Sequence, residues 1–258
     1  MRPLLLALSL VPFAVQAQVP AYSAPMLNGA RFRQTIRSQI RTESGSTVRQ
    51  ERSGREGVLV LEAGAGDSGI TLKSWFDSLV VWRESGGQRA APETDGMIGG
   101  GYRGTLSPQG EYTWLDQPFI PDEIAEIADL GGVLDDFLPP LPSAVVPVGG
   151  AVPLGGGWRL ERRSDSLAGT MALQRYTLSG ERHRTAVGAQ FDSVLVEAPT
   201  FEKETGTLVW DPERGPLVWQ RQITMSAAVP ARGLVKRAVR TQIEQTILLE
   251  RLADAPRH

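Results

Sequence analysis

The segment GDSG, from Gly66 to Gly69, contains a serine in a setting that nucleophilic enzymes use. A serine nucleophile needs a histidine base that a carboxylate holds in position. In enzymes with this segment the histidine precedes the serine, whereas His183 and His258, the two histidines of this chain, both follow it. A glycine-rich hairpin loop between VLVLEA and ITLKSWF accounts for the segment, so we expect no catalytic role for Ser68.

A second phrase, GGGYRG from Gly99 to Gly104, matches the spacing of a dinucleotide-binding loop. That loop works only between a strand and a helix whose N-terminus meets the pyrophosphate. Here Gly104 leads into a Thr-Leu pair and then into Pro108, which opens a turn. No acidic residue follows at the distance that a βαβ unit requires. We interpret the match as a coincidence in a glycine-rich chain and expect no nucleotide cofactor.

Metal and thiol chemistry lack the residues they need. Cys is absent, which removes thiol nucleophiles, disulfides and Cys-based metal sites. His183 stands between two arginines without a second histidine nearby, so we interpret it as an exposed strand residue and expect no metal site. Asp and Glu together number 29, and a pair of catalytic carboxylates therefore stays open as an alternative.

The first 17 residues have the pattern of a signal peptide. One charge at Arg2 is followed by an apolar stretch from Leu4 to Val15 and by a cleavage pattern that ends at Ala17. We expect a mature chain that begins at Gln18 and is periplasmic or secreted. Without cysteine it is not a lipoprotein, and no later segment is long and apolar enough for an integral membrane anchor. The net charge of −2 argues against nucleic acid as a partner.

Alternating polar and apolar residues dominate the rest of the chain. RFRQTIRSQIR, from Arg31 to Arg41, alternates over its whole length, and ITLKSWFDSLVVWR, from Ile70 to Arg83, has the same period of two. The C-terminal segment places β-branched residues at every fourth position with polar residues between them, which favours a strand over a helix. The sequence therefore predicts a mainly β fold of one or two curved antiparallel sheets.

One interior segment has helical spacing instead. Pro121 and two acidic residues open it, as is typical of a helix start. Apolar residues follow at intervals of three or four, namely Ile124, Ile127, Leu130, Leu134 and Phe137. The spacing predicts a short helix over about 122–137 that packs against the sheet. A Pro/Gly-rich crossing follows it.

A repeated phrase divides the chain into two halves that we expect to be related. Gly104-Thr-Leu and Gly206-Thr-Leu are each followed by a Pro/Gly turn and then by Trp114 or Trp219. The phrase suits two β-hairpins with equivalent tryptophans, in which Asp211 hydrogen-bonds the backbone of its own turn. The predicted organisation is a signal peptide at 1–17, a β-rich half at 18–120, a helix and crossing at 121–157, and a second β-rich half at 158–258, in one compact unit.

Three short phrases in the second half point to a known family. They are the Leu-Pro segment from Leu138 to Pro142, the set Val152, Leu154, Gly155 and Trp158, and the set Gly206, Leu208, Trp210, Asp211 and Gly215. With them the chain resembles an uncharacterised family of exported bacterial β-rich proteins, a domain of unknown function whose layout is distantly similar to the lipoprotein-carrier fold. The resemblance implies an envelope location and an antiparallel sheet, and it brings no catalytic residues.

The faces of the two terminal strands distinguish the functions that remain. Their apolar residues alternate with Gln and Ser, which a tight core rarely holds at its centre. We expect a non-catalytic envelope protein that binds a lipid-like or other apolar ligand, or a protein partner. The candidate ligand-facing residues are Phe32, Gln34, Ile36, Ile40, Val239, Ile243 and Ile247. The alternatives are a structural or assembly factor with a filled core, and a hydrolase with an unrecognised carboxylate pair.

Overall fold

The computed structural model describes residues 19–67, 69–135, 137–168, 171–191, 194–231 and 237–253. Its helical turns are α1 (Ala24–Leu27), a 3-10 turn (Asp95–Met97) and α2 (Asp122–Ala125). Its strands are β1 (Arg31–Ser44), β2 (Thr47–Gly66), β3 (Gly69–Ser85), β4 (Gln88–Ala90), β5 (Tyr102–Leu106), β6 (Tyr112–Asp116), β7 (Ala151–Gly155), β8 (Trp158–Arg162), β9 (Ser166–Ala168), β10 (Met171–Phe191), β11 (Val194–Asp211), β12 (Gly215–Val229) and β13 (Val239–Arg251). The predicted mainly β fold is confirmed.

The described strands form one antiparallel sheet. Its order is β6-β5-β3-β2-β1-β13-β12-β11-β10-β8-β7, with β4 beside β3 and β9 beside β10. The strands of the first half of the chain therefore lie on one side of the sheet and those of the second half on the other. In the middle, β1 pairs with β13 along its whole length, from Phe32 opposite Arg251 to Ser44 opposite Val239. The two terminal strands that alternate most regularly are thus the central strands.

Alternation along β1 and β13 gives the sheet two different faces. Directly opposed residues of antiparallel strands point to the same side. One side, which we call the inner face, therefore carries Phe32, Gln34 and Ile36 of β1 together with Leu249 and Ile247 of β13. The arginines that alternate with them on β1 lie on the opposite face, where they reach solvent.

A segment with little regular structure covers one half of the inner face. We call residues 121–135 and 137–146 the strap. Its buried apolar residues are Ile124, Leu130, Val133, Leu134, Phe137, Leu138, Leu141 and Val146. Phe137 packs edge-on against Phe32, with ring centroids 5.7 Å apart. The strap thus supplies the apolar layer that the helical spacing predicted.

The helix within the strap is shorter than the predicted span of 122–137, because α2 ends at Ala125. One further helical bond runs from the N–H of Ala128 to the carbonyl of Ile124. The chain then turns at Asp129, whose Oδ1 accepts a hydrogen bond from the N–H of Gly132 at 3.1 Å. Glycine has a low helix propensity, and a local aspartate bond competes with the helical one. The apolar spacing therefore identified the buried residues but overestimated the helix.

Both hairpins that the repeated phrase predicted are present, but their tryptophans are not equivalent. β5 and β6 pair Gly104 with Trp114. β11 and β12 instead pair Gly206 with Arg221, two residues beyond Trp219. Trp114 is 62 % exposed and Trp219 is 2 % exposed. The shared phrase therefore encodes two hairpin turns and nothing further. The expectation of equivalent tryptophans is wrong.

The role predicted for Asp211 is confirmed. Its Oδ1 accepts hydrogen bonds from the N–H groups of Glu213 at 2.8 Å and Arg214 at 3.2 Å. The carboxylate is therefore engaged in the β11–β12 turn. The GGGYRG phrase leads into β5, which contains Gly104, and not into a helix, so the context of a dinucleotide-binding loop is missing there.

The GDSG segment lies at the end of a hairpin. Gly66 pairs with Gly69 where β2 meets β3, which agrees with the predicted glycine-rich loop. Ser68 itself lies outside the described residues, as do residues 1–18, with the predicted signal peptide, and His258.

Candidate ligand-binding face

The inner face continues beyond the strap in regular rows. Across β1, β13 and β12 the rows are Gln34–Leu249–Trp219, Ile36–Ile247–Arg221, Ser38–Gln245–Ile223, Ile40–Ile243–Met225, Thr42–Thr241–Ala227 and Ser44–Val239–Val229. Among the described residues, the main hydrophobic cluster contains Leu249 and Trp219 of the first row and no member of the later rows. The apolar residues of the later rows therefore share the inner face without belonging to the main core.

We call these apolar residues the open stripe, which consists of Ile36, Ile40, Ile223, Met225, Val229, Val239, Ile243 and Ile247. Four of them, Ile36, Ile40, Met225 and Ile243, are half-buried, and the others are buried. From Ile36 to Ser44, β1 advances eight residues, or about 27 Å at the rise of an antiparallel strand. The stripe is thus long enough for an extended hydrocarbon chain.

The two glutamines of these rows, Gln34 and Gln245, each have a hydrogen-bond partner within the protein. Gln34 is 4 % exposed, and its Oε1 accepts a hydrogen bond from Nη2 of Arg55 at 2.7 Å. Further along the face, Nε2 of Gln245 donates to Oγ of Ser38 at 3.0 Å. The amides that suggested a wet face are therefore satisfied by neighbouring side chains.

A groove of about 250 Å³ opens where the strap meets the open stripe. Ile127 and Val133 of the strap and Ile36 and Ile247 of the sheet form its apolar walls, and Arg55 is among its polar lining residues. Pockets for small molecules usually measure about 300–1,000 Å³, so this groove alone suits only part of a ligand. Because Ile36 and Ile247 belong to both the groove and the stripe, the two form one continuous surface.

Arg55 is a buried cation in this groove, with 6 % of its surface exposed. Its Nη1 donates to the backbone carbonyl of Asp129 at 2.8 Å and its Nη2 to Gln34. Its Nε has no hydrogen-bond partner among the described residues. Burial lowers the pKa of Arg55 to about 10, against the opposing effects of Tyr102 and Asp129. The side chain therefore stays a cation at neutral pH while both of its hydrogen-bond partners are neutral oxygens.

A second charged cluster lies on the β10–β12 side of the strap. Nε of Arg221 lies 2.5 Å from Oε1 of Glu204, and the two side chains are 8 % and 2 % exposed. Arg182 pairs with Glu202 at 2.8 Å and stacks over Trp158, 4.5 Å from the ring centroid. A groove of about 210 Å³ separates this cluster from the strap. Each arginine here has its own carboxylate, so the cluster neutralises itself.

The opposite face of the sheet has wider grooves. One of about 790 Å³ is lined by Arg37, Trp82, Glu244 and further polar residues, and one of about 430 Å³ includes His183 and Phe201. His183 is exposed, with its ring 4.9 Å from that of Phe201. This agrees with its interpretation as an exposed strand residue.

The seven residues predicted to face a ligand all lie on the inner face, but in two environments. Phe32 and Gln34 are buried beneath the strap, whereas the other five belong to the open stripe. Arg55 was missed by the sequence reasoning. It shares strand parity with Leu59 and Leu61, which lie on the inner face, and that parity is the signal that identifies it.

The buried carboxylates already have structural roles. Glu204 is held by Arg221, and Asp211 by the backbone of its turn. Among the described residues, no group of three His, Asp or Glu side chains is arranged to hold a metal ion. Neither Glu204 nor Asp211 is therefore free to serve in a catalytic pair of carboxylates.

Comparison with solved structures finds a similar fold inside a larger protein. The chain is similar to lipovitellin, in a structure concerned with lipid–protein interactions, with a TM-score of 0.51 and 11 % identity. The match covers 90 % of this chain and 26 % of the lipovitellin chain. At this identity the likeness concerns the fold alone, and this chain spans about a quarter of lipovitellin.

The remaining comparisons add no argument about function. Neisserial surface protein A aligns with 87 % of this chain and 100 % of its own at 8 % identity, but with a TM-score of 0.24. No family model and no curated protein matches the sequence. Within the described residues, no helix has the length and apolar character needed to cross a membrane.

Proposed function

We propose that this protein binds an elongated apolar ligand on its inner face, along the open stripe and into the groove at the edge of the strap. The observation that carries the proposal is that a half-buried apolar surface adjoins the groove directly and lies outside the main core. Ile40, Ile243 and Met225 form one row of neighbouring, partly exposed apolar side chains, and a contiguous exposed apolar patch is typical of an interaction site.

The expected affinity follows from the area that a ligand covers. Burying one methylene group contributes about 0.8 kcal/mol, and about ten buried methylenes therefore suffice for micromolar binding. The stripe presents β-branched and Met side chains in every row beyond the first except Thr42–Thr241–Ala227, which offers such contact along most of one hydrocarbon chain. The lipovitellin structure concerns lipid–protein interactions, and its similar fold is compatible with this use of a β-sheet.

We also propose that the protein acts in the bacterial envelope or outside the cell, on the strength of the pattern in residues 1–17. Mass spectrometry of the exported protein should give a chain that begins at Gln18. A chain that retains Met1 would contradict export without affecting the proposed binding face.

Ligand binding is tested on the protein isolated from its native source and on the recombinant chain. Native mass spectrometry followed by solvent extraction should release a lipid-like molecule from the former. The recombinant chain should bind the neutral fluorophore N-phenyl-1-naphthylamine with micromolar affinity.

A matched pair of variants locates the binding. Ile243→Asp places a charge within the open stripe and should abolish binding of the fluorophore. Val80→Asp places the same charge on a side chain that is 57 % exposed and should leave binding unchanged. Equal binding by both variants, or none by the unaltered chain, would overturn the proposal.

The second candidate is a structural or assembly factor. The hydrogen bonds from Arg55 to Gln34 and from Gln245 to Ser38 favour it, since they satisfy the polar groups of the face without solvent or ligand. Under this alternative the native protein carries no extractable ligand and the fluorophore does not bind.

A further inference from the structure

We infer that the ligand is a single-chain amphiphile with an anionic headgroup, a carboxylate or a phosphate, and that Arg55 binds this headgroup in the groove while the hydrocarbon chain follows the open stripe. The inference rests on the proposed function, and it adds the chemistry of the ligand's polar end.

The first step is the state of the guanidinium. Arg55 is 6 % exposed and its Nε is buried without a partner. Its two hydrogen bonds go to the Asp129 carbonyl and the Gln34 amide oxygen, which carry no formal charge. Burial lowers the pKa of Arg55, and the Asp129 carboxylate opposes this electrostatically, but it forms no ion pair with the guanidinium. A buried charge without a paired opposite charge is unfavourable, and a bound anion reduces that cost.

The second step is the contrast with the other two arginines that are buried among the described residues. Arg221 pairs with a glutamate at 2.5 Å and Arg162 pairs with an aspartate at 2.9 Å. Arg55 makes no ion pair within the described residues. Asp129 is exposed, and its carboxylate instead accepts the N–H of Gly132. Among these three buried arginines, Arg55 is thus the one without a paired carboxylate and the one available to an external anion.

The third step is position. Arg55 lies directly opposite Ile36 in the pairing of β1 with β2, and Ile36 is the first residue of the open stripe. The groove also presents the hydroxyls of Ser38 and Ser53 and the amide of Gln245. A planar guanidinium with free N–H groups suits carboxylate and phosphate oxygens, and the groove of about 250 Å³ suits a headgroup better than a whole lipid.

The test compares three probes of one chain length: dodecanoate, dodecyl phosphate and dodecan-1-ol. Each competes with N-phenyl-1-naphthylamine for the full chain at neutral pH, below the concentration at which micelles form. We expect at least one of the two anions to bind about tenfold or more tightly than the alcohol, as a charge-assisted hydrogen bond implies. The two anionic arms distinguish a carboxylate ligand from a phosphate ligand.

Two variants assign the preference to Arg55. Arg55→Met should abolish the anion preference, so that the anions and the alcohol bind with about equal affinity. Arg37→Met removes the same charge from an exposed position on the opposite face and should keep the preference. If Arg55→Met does not fold, the Nε–H resonance of Arg55, assigned with Arg55→Lys, should shift on addition of the anion and not of the alcohol.

The outcomes separate the two claims. Equal affinity for anions and alcohol, or an anion preference that survives in Arg55→Met, overturns the inference and leaves the apolar binding site in place. Failure of the fluorophore and of all three probes to bind overturns the proposed function itself.

Discussion

The inner face has a covered half, which lies beneath the strap, and an open half, which carries the open stripe. The same strands, β1 and β13, form both halves. In the covered half, Phe32 packs against Phe137 of the strap and Trp219 faces the strap across a narrow groove, and both are at most 2 % exposed. In the open half, Ile40 of β1 and Ile243 of β13 are directly opposed on the same two central strands, and both remain half-buried. A single alternating strand can therefore contribute to a sealed core at one end and to a partly exposed apolar surface at the other. What differs is the presence of the strap.

The two halves also differ in how they treat charge. Near the strap on the β10–β12 side, Glu204 and Arg221 are buried as a pair. At the boundary with the open stripe, Arg55 is buried and forms no ion pair with any carboxylate in the described part of the chain. A buried pair that neutralises itself adds little to recognition, whereas a buried unpaired cation beside an apolar surface favours an amphiphile with an acidic end.

The largest expected effect on the free energy of unfolding comes from removing a buried side chain in the covered half. Phe137 is 1 % exposed and packs against Phe32, so Phe137→Ala should lower the free energy of unfolding by about 3–5 kcal/mol through lost burial and the cavity left behind. Urea unfolding followed by tryptophan fluorescence measures this. A loss below about 1 kcal/mol would mean that the strap is not part of the core.

Alkaline pH should also act on the covered half. Burial raises the pKa of Tyr102, Tyr112 and Tyr176 to about 12, and that of Tyr22 well above its usual value. These phenols stay neutral in the folded chain, whereas in the unfolded chain they ionise near pH 10. Their contribution to stability is therefore complete below pH 10 and is lost as the pH rises towards 12.

Ultraviolet absorbance of ionised tyrosine and near-ultraviolet circular dichroism, recorded together, test this pH dependence. The phenols should ionise along with the loss of tertiary structure. Ionisation of most tyrosines near pH 10 with the fold intact would show that the covered half is accessible to solvent.

A substitution in the open half should have a smaller effect on stability. Ile243 is half-buried and lies outside the main core, so Ile243→Ala should lower the free energy of unfolding by about 1 kcal/mol or less. The same variant should weaken fluorophore binding, because it removes apolar surface from the stripe. A loss as large as that of Phe137→Ala would show that the open half is a filled core.

The smallest effect is expected on the opposite face. His183 is exposed, and His183→Ala should change the free energy of unfolding by no more than about 0.5 kcal/mol and leave fluorophore binding unaltered. Thermal unfolding and a binding titration check both points. A destabilisation above about 2 kcal/mol would assign a structural role to its contact with Phe201.

Much of the local structure was predicted correctly from patterns of neighbouring residues. The period of two in RFRQTIRSQIR predicted β1, and the β-branched spacing of the C-terminal segment predicted β13, because side-chain alternation follows directly from strand geometry. Asp211 was assigned correctly to its turn, since an aspartate that bonds its own backbone needs only residues within reach of it.

Predictions were less accurate where the outcome depends on residues that are distant in the sequence. The spacing of Ile124, Leu130 and Phe137 identified which strap residues are buried, but a buried apolar series does not require a helical backbone, and α2 has only four residues. Trp114 and Trp219 follow the same phrase, yet one lies on the exposed β6 and the other beneath the strap. Burial depends on what packs against a residue, and a phrase within one strand does not contain that information.

The sequence by itself determined the strands, the two faces of β1 and β13, and the set of residues on which a ligand-binding face was expected. Only the tertiary structure decided where that face is sealed and where it is open, because the strap reaches Phe32 but not Ile40. It also decided the state of Arg55, since a charge becomes buried and unpaired only through segments that are distant in the chain: Asp129 of the strap lies 74 residues away in sequence. Strand alternation is set by neighbouring residues, whereas burial and charge pairing are set by whichever elements the fold brings together.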